Sequence, residues 1–212
     1  MSRTLVASDN FNRASLGSDW AQINSDAGSM AINGSVEIYG PNALSVSDRQ
    51  AVRWVGAGTF TDDQYSSLAI TILSNLTTDY SIGVIARASA DTNASRDCYQ
   101  VCVCNDSAGP NYTTQFGKIV DGTYTSFNSA AIAWSINDRV EIECEGTTIR
   151  VCQNGTPLGG AWTVTDSALS TGAPGVNGAG SATFNGGDNW EGGSITAGGG
   201  GPSLMGRGIW VS

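Results

Sequence analysis

Apolar and polar residues alternate with a period of two along most of this chain, most clearly in RVEIECEGTTIRVCQNGT, residues 139–156. Val140, Ile142 and Cys144 alternate there with Glu141, Glu143 and Glu145, the pattern of a half-buried strand. Gly146-Thr147 predicts a two-residue turn, after which Ile149 and Val151 continue the apolar face. The resulting register sets Cys144 opposite Ile149, Ile142 opposite Val151, Glu143 opposite Arg150 and Glu141 opposite Cys152. A slip of one residue would turn the apolar set to water, so the pairing is strongly specified. Asn154-Gly155 predicts a second tight turn, of the type that needs positive φ.

The same reading predicts a hairpin over 29–38 turning at Asn33-Gly34, and strands near 51–55, 66–73, 81–88 and 98–104. A second long hairpin, near 114–127, turns at Asp121-Gly122. A strand near 161–164, a helical turn within 167–175 and one or two strands from 182 to 194 complete the series. Turn signals recur about every 8–12 residues, the pattern of an all-β, antiparallel two-sheet sandwich or jelly roll. Residues 1–194 read as one domain. Residues 195–212 read as a glycine-rich linker and an apolar arm bearing Leu204, Met205, Ile209, Trp210 and Val211. Such an arm loses much chain entropy unless its apolar residues are buried, so a neighbouring subunit is expected to hold it.

Charge and composition narrow the chemistry. The net charge is −9, with Lys118 as the single lysine, which disfavours nucleic-acid binding through a basic patch. Histidine is absent, so His-based triads, general bases and metal ligands are excluded. No apolar run is long enough to span a bilayer, and the N-terminal stretch has no apolar segment of the secretory type. Five cysteines, Cys98, Cys102, Cys104, Cys144 and Cys152, fit small buried thiols better than a disulfide framework or a zinc knuckle.

Three segments carry a family resemblance: DNFNRASLGSDW (9–20), the central hairpin with its closing QNGT, and DSALSTGAPGV followed by GGDNWEGG (186–193). In order and spacing they resemble the concanavalin A-like lectin/glucanase superfamily, in its laminin-G-like form. The resemblance implies two antiparallel sheets, one of them curved, with the first and last strands side by side. It implies no particular activity, since the fold hosts lectins, glycosidases, lyases and structural modules. It also implies a structural Ca²⁺ near the junction of the first and last strands, for which Asp9, Glu37 and Asp188 are the positions indicated.

Glu141-Ile142-Glu143-Cys144-Glu145 is similar to the carboxylate strand of the laminarinase-like glycosidases, but with Glu in place of the central Asp. The register pairs Glu143 with Arg150, so this row is expected to be a solvated strand face without catalytic residues. Trp54, Tyr65, Tyr112 and Tyr124 are candidates for sugar stacking, whereas Tyr99, in step with Val101 and Val103, is expected in the core, and Trp20, Trp162 and Trp190 are expected to pack internally. The functional expectation is a non-catalytic structural protein of a bacteriophage virion, either a head decoration (cement) protein or a tail-associated component. Its expected partners are other virion subunits, including copies of itself, with no membrane and no nucleic acid. The alternative is a carbohydrate-binding module for a cell-surface glycan, and the third reading is a glycosidase or lyase using carboxylates.

Overall fold

The computed structural model describes residues 2–24, 28–34, 37–41, 49–73, 80–104, 111–180 and 185–196. The first sheet contains β1 (Ser2–Asp9), β3 (Ala31–Asn33), β4 (Glu37–Tyr39), β6 (Gln64–Leu73), β11 (Arg139–Glu145), β12 (Thr148–Gln153), β13 (Thr156–Pro157), β14 (Thr163–Thr165) and β16 (Asn185–Thr196). Its order is β13-β12-β11-β6-β16-β4-β3, with β1 also pairing β16 and β14 pairing β12. The second sheet contains β2 (Trp20–Asn24), β5 (Gln50–Trp54), β7 (Ser81–Ala88), β8 (Cys98–Cys104), β9 (Asn111–Val120), β10 (Thr123–Ala133) and β15 (Ala173–Ala179), in the order β10-β9-β8-β7-β15-β5-β2. All pairings among the described residues are antiparallel, as the period-two pattern predicts.

The central hairpin adopts the register expected from its sequence, from Glu141↔Cys152 to Glu145↔Thr148. Gly146 takes the positive φ its turn requires, as do Asn154 and Gly155 in the next one. Val140, Ile142, Ile149 and Val151 face inward and meet Val52, Val84, Val101, Val103, Phe116 and Val176 of the other sheet. Three tryptophans enter this core with their indole N–H satisfied. Trp190 donates to Ser66 Oγ at 2.9 Å, Trp134 to Thr114 Oγ1 at 2.8 Å and Trp20 to Asp9 Oδ2 at 2.6 Å. Trp162 is buried as well, so Trp20, Trp162 and Trp190 are packing residues as expected. The five cysteines are buried thiols not joined in disulfides, and burial pushes the Cys98, Cys144 and Cys152 thiols up to about 12.

The first and last strands lie side by side, from Ser2↔Thr196 to Asp9↔Trp190. β16 runs two residues past the expected boundary at 194, because Ile195 is buried and its N–H donates to the Asp63 carbonyl. Of the expected arm, Leu204, Met205, Ile209, Trp210 and Val211 lie outside the described residues. The helical turn expected within 167–175 is absent. Side chains claim the backbone there instead: Ala168 N–H donates to Asp166 Oδ1 and Leu169 N–H to Tyr99 Oη.

Candidate functional site

A cleft of about 630 Å³ opens at one end of the sandwich where five segments converge. They are the 61–63 loop before β6, the end of β7 at Arg87, the Gly146-Thr147 turn, the 167–170 loop, and the last residues of β16. Arg87 organises them. Its N–H groups donate to the carbonyls of Asp62 (3.0 Å), Leu169 (2.9 Å) and Gly146 (2.8 Å), and its guanidinium lies 3.7 Å from the Asp63 carboxylate. Asp63 Oδ1 in turn accepts the Gly146 N–H at 2.6 Å. Gln64 adds a second clasp, accepting the Arg87 N–H and donating to the carbonyls of Thr61 and Gly172. Arg87 itself has φ +49°, at a β-bulge opposite Pro174, whose ring leaves no N–H for the ladder.

This clasp leaves a pre-organised surface. Leu169 and Ile195 form a buried apolar floor, while Thr61, Thr147, Ser167, Ser170 and Thr196 present an exposed rim. The exposed Asp62 has no ion pair among the described residues, since Arg87 takes its backbone carbonyl and leaves its carboxylate. The loop under Leu169 is fixed from below by Tyr99, which donates to Asp166 Oδ1 at 2.7 Å, and by Lys118, which pairs with Asp166 Oδ2 at 2.5 Å. Such a cleft can hold a small polyhydroxylated ligand, with a carboxylate and several hydroxyls for its polar edge and an apolar floor for its ring face.

The Glu141–Glu143 row departs from expectation. Both residues are buried, at 3% and 6% exposure, whereas the sequence predicts a wet face. Arg3 of β1 crosses above the Tyr65 ring at 4.9 Å and closes over both carboxylates. Glu141 receives Ser67 Oγ, Arg3 and the Gly155 N–H, while Glu143 is bound by Arg3 at one oxygen and Arg150 Nε at the other, 2.9 Å away. The predicted Glu143–Arg150 pair is present, but inside a part-buried ionic network that contact between residues 140 apart in sequence creates. The stacking candidates are also enclosed. Tyr65 and Tyr112 are buried, Tyr124 is half-buried against Ile119 and its neighbours, and Trp54 stacks on Trp190 with ring centres 5.4 Å apart; Tyr99 is in the core, as expected.

The carboxylates indicated for calcium fit in part. Asp188 feels the negative charge of both Glu37 and Asp9, and burial together with those charges raises its carboxyl above the usual range. Asp188 Oδ1 and Thr71 Oγ1 are buried without a hydrogen-bond partner. A Cβ at Gly186 would lie 3.2 Å from both Glu37 Oε2 and Thr71 Oγ1, so these oxygens share one small space. Asp9, however, is committed to Arg13, Trp20 and the Phe11 N–H. Among the described residues, no three His, Cys, Asp or Glu side chains group to hold a metal ion.

No protein-family model and no curated protein matches the chain. Solved structures do. The carbohydrate-binding module CBM66 from Bacillus subtilis is similar with a TM-score of 0.54 and 13% identity, over 84% of this chain and 94% of that one. The β-glucanase of Bacillus licheniformis gives 0.55 and 12%, over 91% and 99%. The fold is that of the concanavalin A-like jelly rolls. The CBM2 module of the evolved Dit of Lactobacillus casei BL23 phage J-1 matches it equally well, at 0.54 and 12%, over 90% and 94%. In this jelly roll the cleft residues Asp62, Asp63, Arg87, Leu169 and Ser170 escaped sequence reasoning. Their one local signal, Gln64 and Arg87 at the ends of apolar strands, acquires meaning only when β6 and β7 meet the 167–172 loop.

Proposed function

We propose that this jelly roll is a non-catalytic carbohydrate-binding domain whose loop-end cleft takes a neutral glycan. The observation that carries the reading is the cleft itself, rigidly clasped by Arg87 and Gln64 yet lined on its open side by hydroxyls and the Asp62 carboxylate. Among the described residues Arg87 is the only basic side chain lining it, and it is engaged by three carbonyls and the Asp63 carboxylate, so an anionic sugar would meet the Asp62 carboxylate with little to balance it. A non-catalytic role is supported by the Glu141–Glu143 pair, whose oxygens are occupied by Arg3, Arg150, Ser67 and the Gly155 N–H. The test is a glycan array on the native chain, followed by titration of the Asp62→Asn and Ser170→Ala variants. Each exposed substitution is expected to weaken binding about tenfold while leaving the fold intact. An array without dose-dependent binding removes the reading.

The likeness in fold to the phage J-1 module supports a second, narrower proposal, that the domain is carried on a bacteriophage particle as a tail-associated component. In that setting residues 197–212 would strap it to neighbouring subunits. Light scattering with limited proteolysis, on the full chain and on one ending at Thr196, tests this. Identical monomers with a clipped tail would remove the strap. Calcium, if bound, would be held by Glu37, Asp188 and Thr71, and would supply positive charge where carboxylates now repel.

A further inference from the structure

A second pocket, of about 390 Å³, is walled by Arg53, Ala88, Ser89, Asp97 and residues 168–172. It shares Arg87, Leu169 and Ser170 with the first cleft, so the two adjoin along one loop. Arg87 is already engaged by three carbonyls and the Asp63 carboxylate. Arg53 is engaged by nothing. Among the described residues its guanidinium forms no ion pair and no hydrogen bond, and its Nε is buried without a partner.

The surrounding strands explain why. Val52 and Trp54 pack into the core between the sheets, which turns Arg53 to the outer face of the second sheet beside Ala51. Its cross-strand neighbours there are Ala21 on β2 and Gly175 on β15, and neither carries a side-chain acceptor. Ile85, opposite Gly175 on β7, adds only apolar surface. Asp97 lines the same pocket but lies beyond ion-pair distance of Arg53, and its Oδ1 accepts the Asp121 N–H. A half-buried guanidinium with a shielded, unmet donor is costly, and no neighbour on the sheet relieves it. An incoming acceptor would.

We infer that this second pocket takes the carboxylate of an acidic sugar, held by Arg53, on a glycan whose neighbouring neutral unit occupies the first cleft. The inference rests on the glycan-binding reading of that cleft and extends it to the class of glycan. A planar guanidinium meets a carboxylate with two parallel hydrogen bonds, which suits the unmet donor at Nε. Ser89, Ser170 and Thr171 supply hydroxyls around it for the sugar ring. Asp97 borders the same space, so a singly charged group fits better than a doubly charged phosphate monoester. Asp62 beside one pocket and Arg53 beside the other would then fix the order of the units, the neutral one at Asp62 and the acidic one at Arg53.

Titration of the full chain with glucuronate-containing disaccharides, and with the same disaccharides reduced at the carboxyl group, tests the inference. The native protein should bind the acidic disaccharides about tenfold more tightly than their reduced partners. Arg53→Gln should erase that preference while keeping the affinity for the reduced partners, and Arg53→Lys should restore part of it. Asp62→Asn should weaken acidic and reduced partners alike. Since Arg53 has no partner in the free protein, Arg53→Gln should melt no lower than the native chain. Equal affinity for acidic and reduced disaccharides overturns this inference and leaves the glycan reading standing. So does a preference that survives Arg53→Gln, or tighter binding of glucose 6-phosphate than of glucuronate. A native chain that binds neither kind of disaccharide, nor any glycan on the array, overturns both.

Discussion

Arg3 Nε lies 2.7 Å from Glu143 Oε1, joining the first strand to a strand 140 residues later across the width of two others. The same guanidinium donates to both oxygens of Glu141, so one side chain neutralises two buried carboxylates. Burial opposes ionisation of Arg3, but hydrogen bonds and attraction to the two glutamates outweigh it and hold the guanidinium charged. Arg3→Met is expected to destabilise the fold by about 3 kcal/mol, because it leaves two carboxylates dry and short of a partner. Arg3→Lys should restore less than half, since an ammonium cannot span both glutamates. Urea titration of the three proteins measures this, and equal midpoints would show that the network anchors nothing.

Acid should loosen the structure through a small set of aspartates. Burial alone would raise the Asp9 carboxyl, but hydrogen bonds from Arg13, Trp20 and the Phe11 N–H hold it below the usual range. Asp138 and Asp166 are likewise held low against burial, the first by Asn154, Ser135 and Gln153, the second by Lys118, Tyr99 and Ala168. A depressed carboxyl stabilises the fold above its unfolded pKa, about 3.9, and that contribution vanishes as pH falls through the lower folded value. Melting temperature should therefore be flat from pH 6 to about 4 and drop below it, and Asp9→Asn should melt lower at pH 6 with a shallower acid drop.

Asp188 has the opposite sign. Its carboxyl is raised, by burial first and then by Glu37 and Asp9, so the ionised form is a liability at neutral pH. Asp188→Asn should melt above the native protein at pH 7 in EDTA, with the difference fading as pH falls below about 4. Calcium should raise the melting temperature of the native chain and leave the variant unmoved. If the native chain also ignores calcium, the cation proposal fails while the charge argument stands.

Gly172 sits at φ +135°, and a Cβ there would lie 2.4 Å from the Arg87 carbonyl carbon. Gly172→Ala must either strain the backbone or push Arg87 out of its clasp, at an expected cost of about 2 kcal/mol or more. The variant should lose glycan affinity together with stability, because Arg87 fixes the rim. Calorimetric melting and glycan titration on the same sample read both quantities.

The all-β class and the central hairpin register were legible because they depend on neighbours in sequence. Val140 to Val151 alternate on a pattern that only one register satisfies. The burial of Glu141 and Glu143 was not, since it depends on Arg3, and no local pattern announces that β1 will reach β11 across β6 and β16. The cleft was illegible for the same reason. Asp62, Arg87 and Leu169 are unremarkable in their own segments and gain a role from the loops' convergence. The missing helical turn shows side chains overriding spacing, as Tyr99 and Asp166 take the N–H groups that a helix would have used.

The pairing of β1 with β16 also shapes how the fold is reached. Residues 2–9 find their final neighbours only in residues 190–196, so the strand made first is among the last to be secured. Until then β16's partner edge stands open and the Glu141–Glu143 pair lacks its counter-ion. Refolding should accordingly be slow for the size of the chain, about milliseconds to seconds, with closure of this long loop as its final step. Disturbing Arg3 should therefore mainly accelerate unfolding and leave the folding rate nearly unchanged.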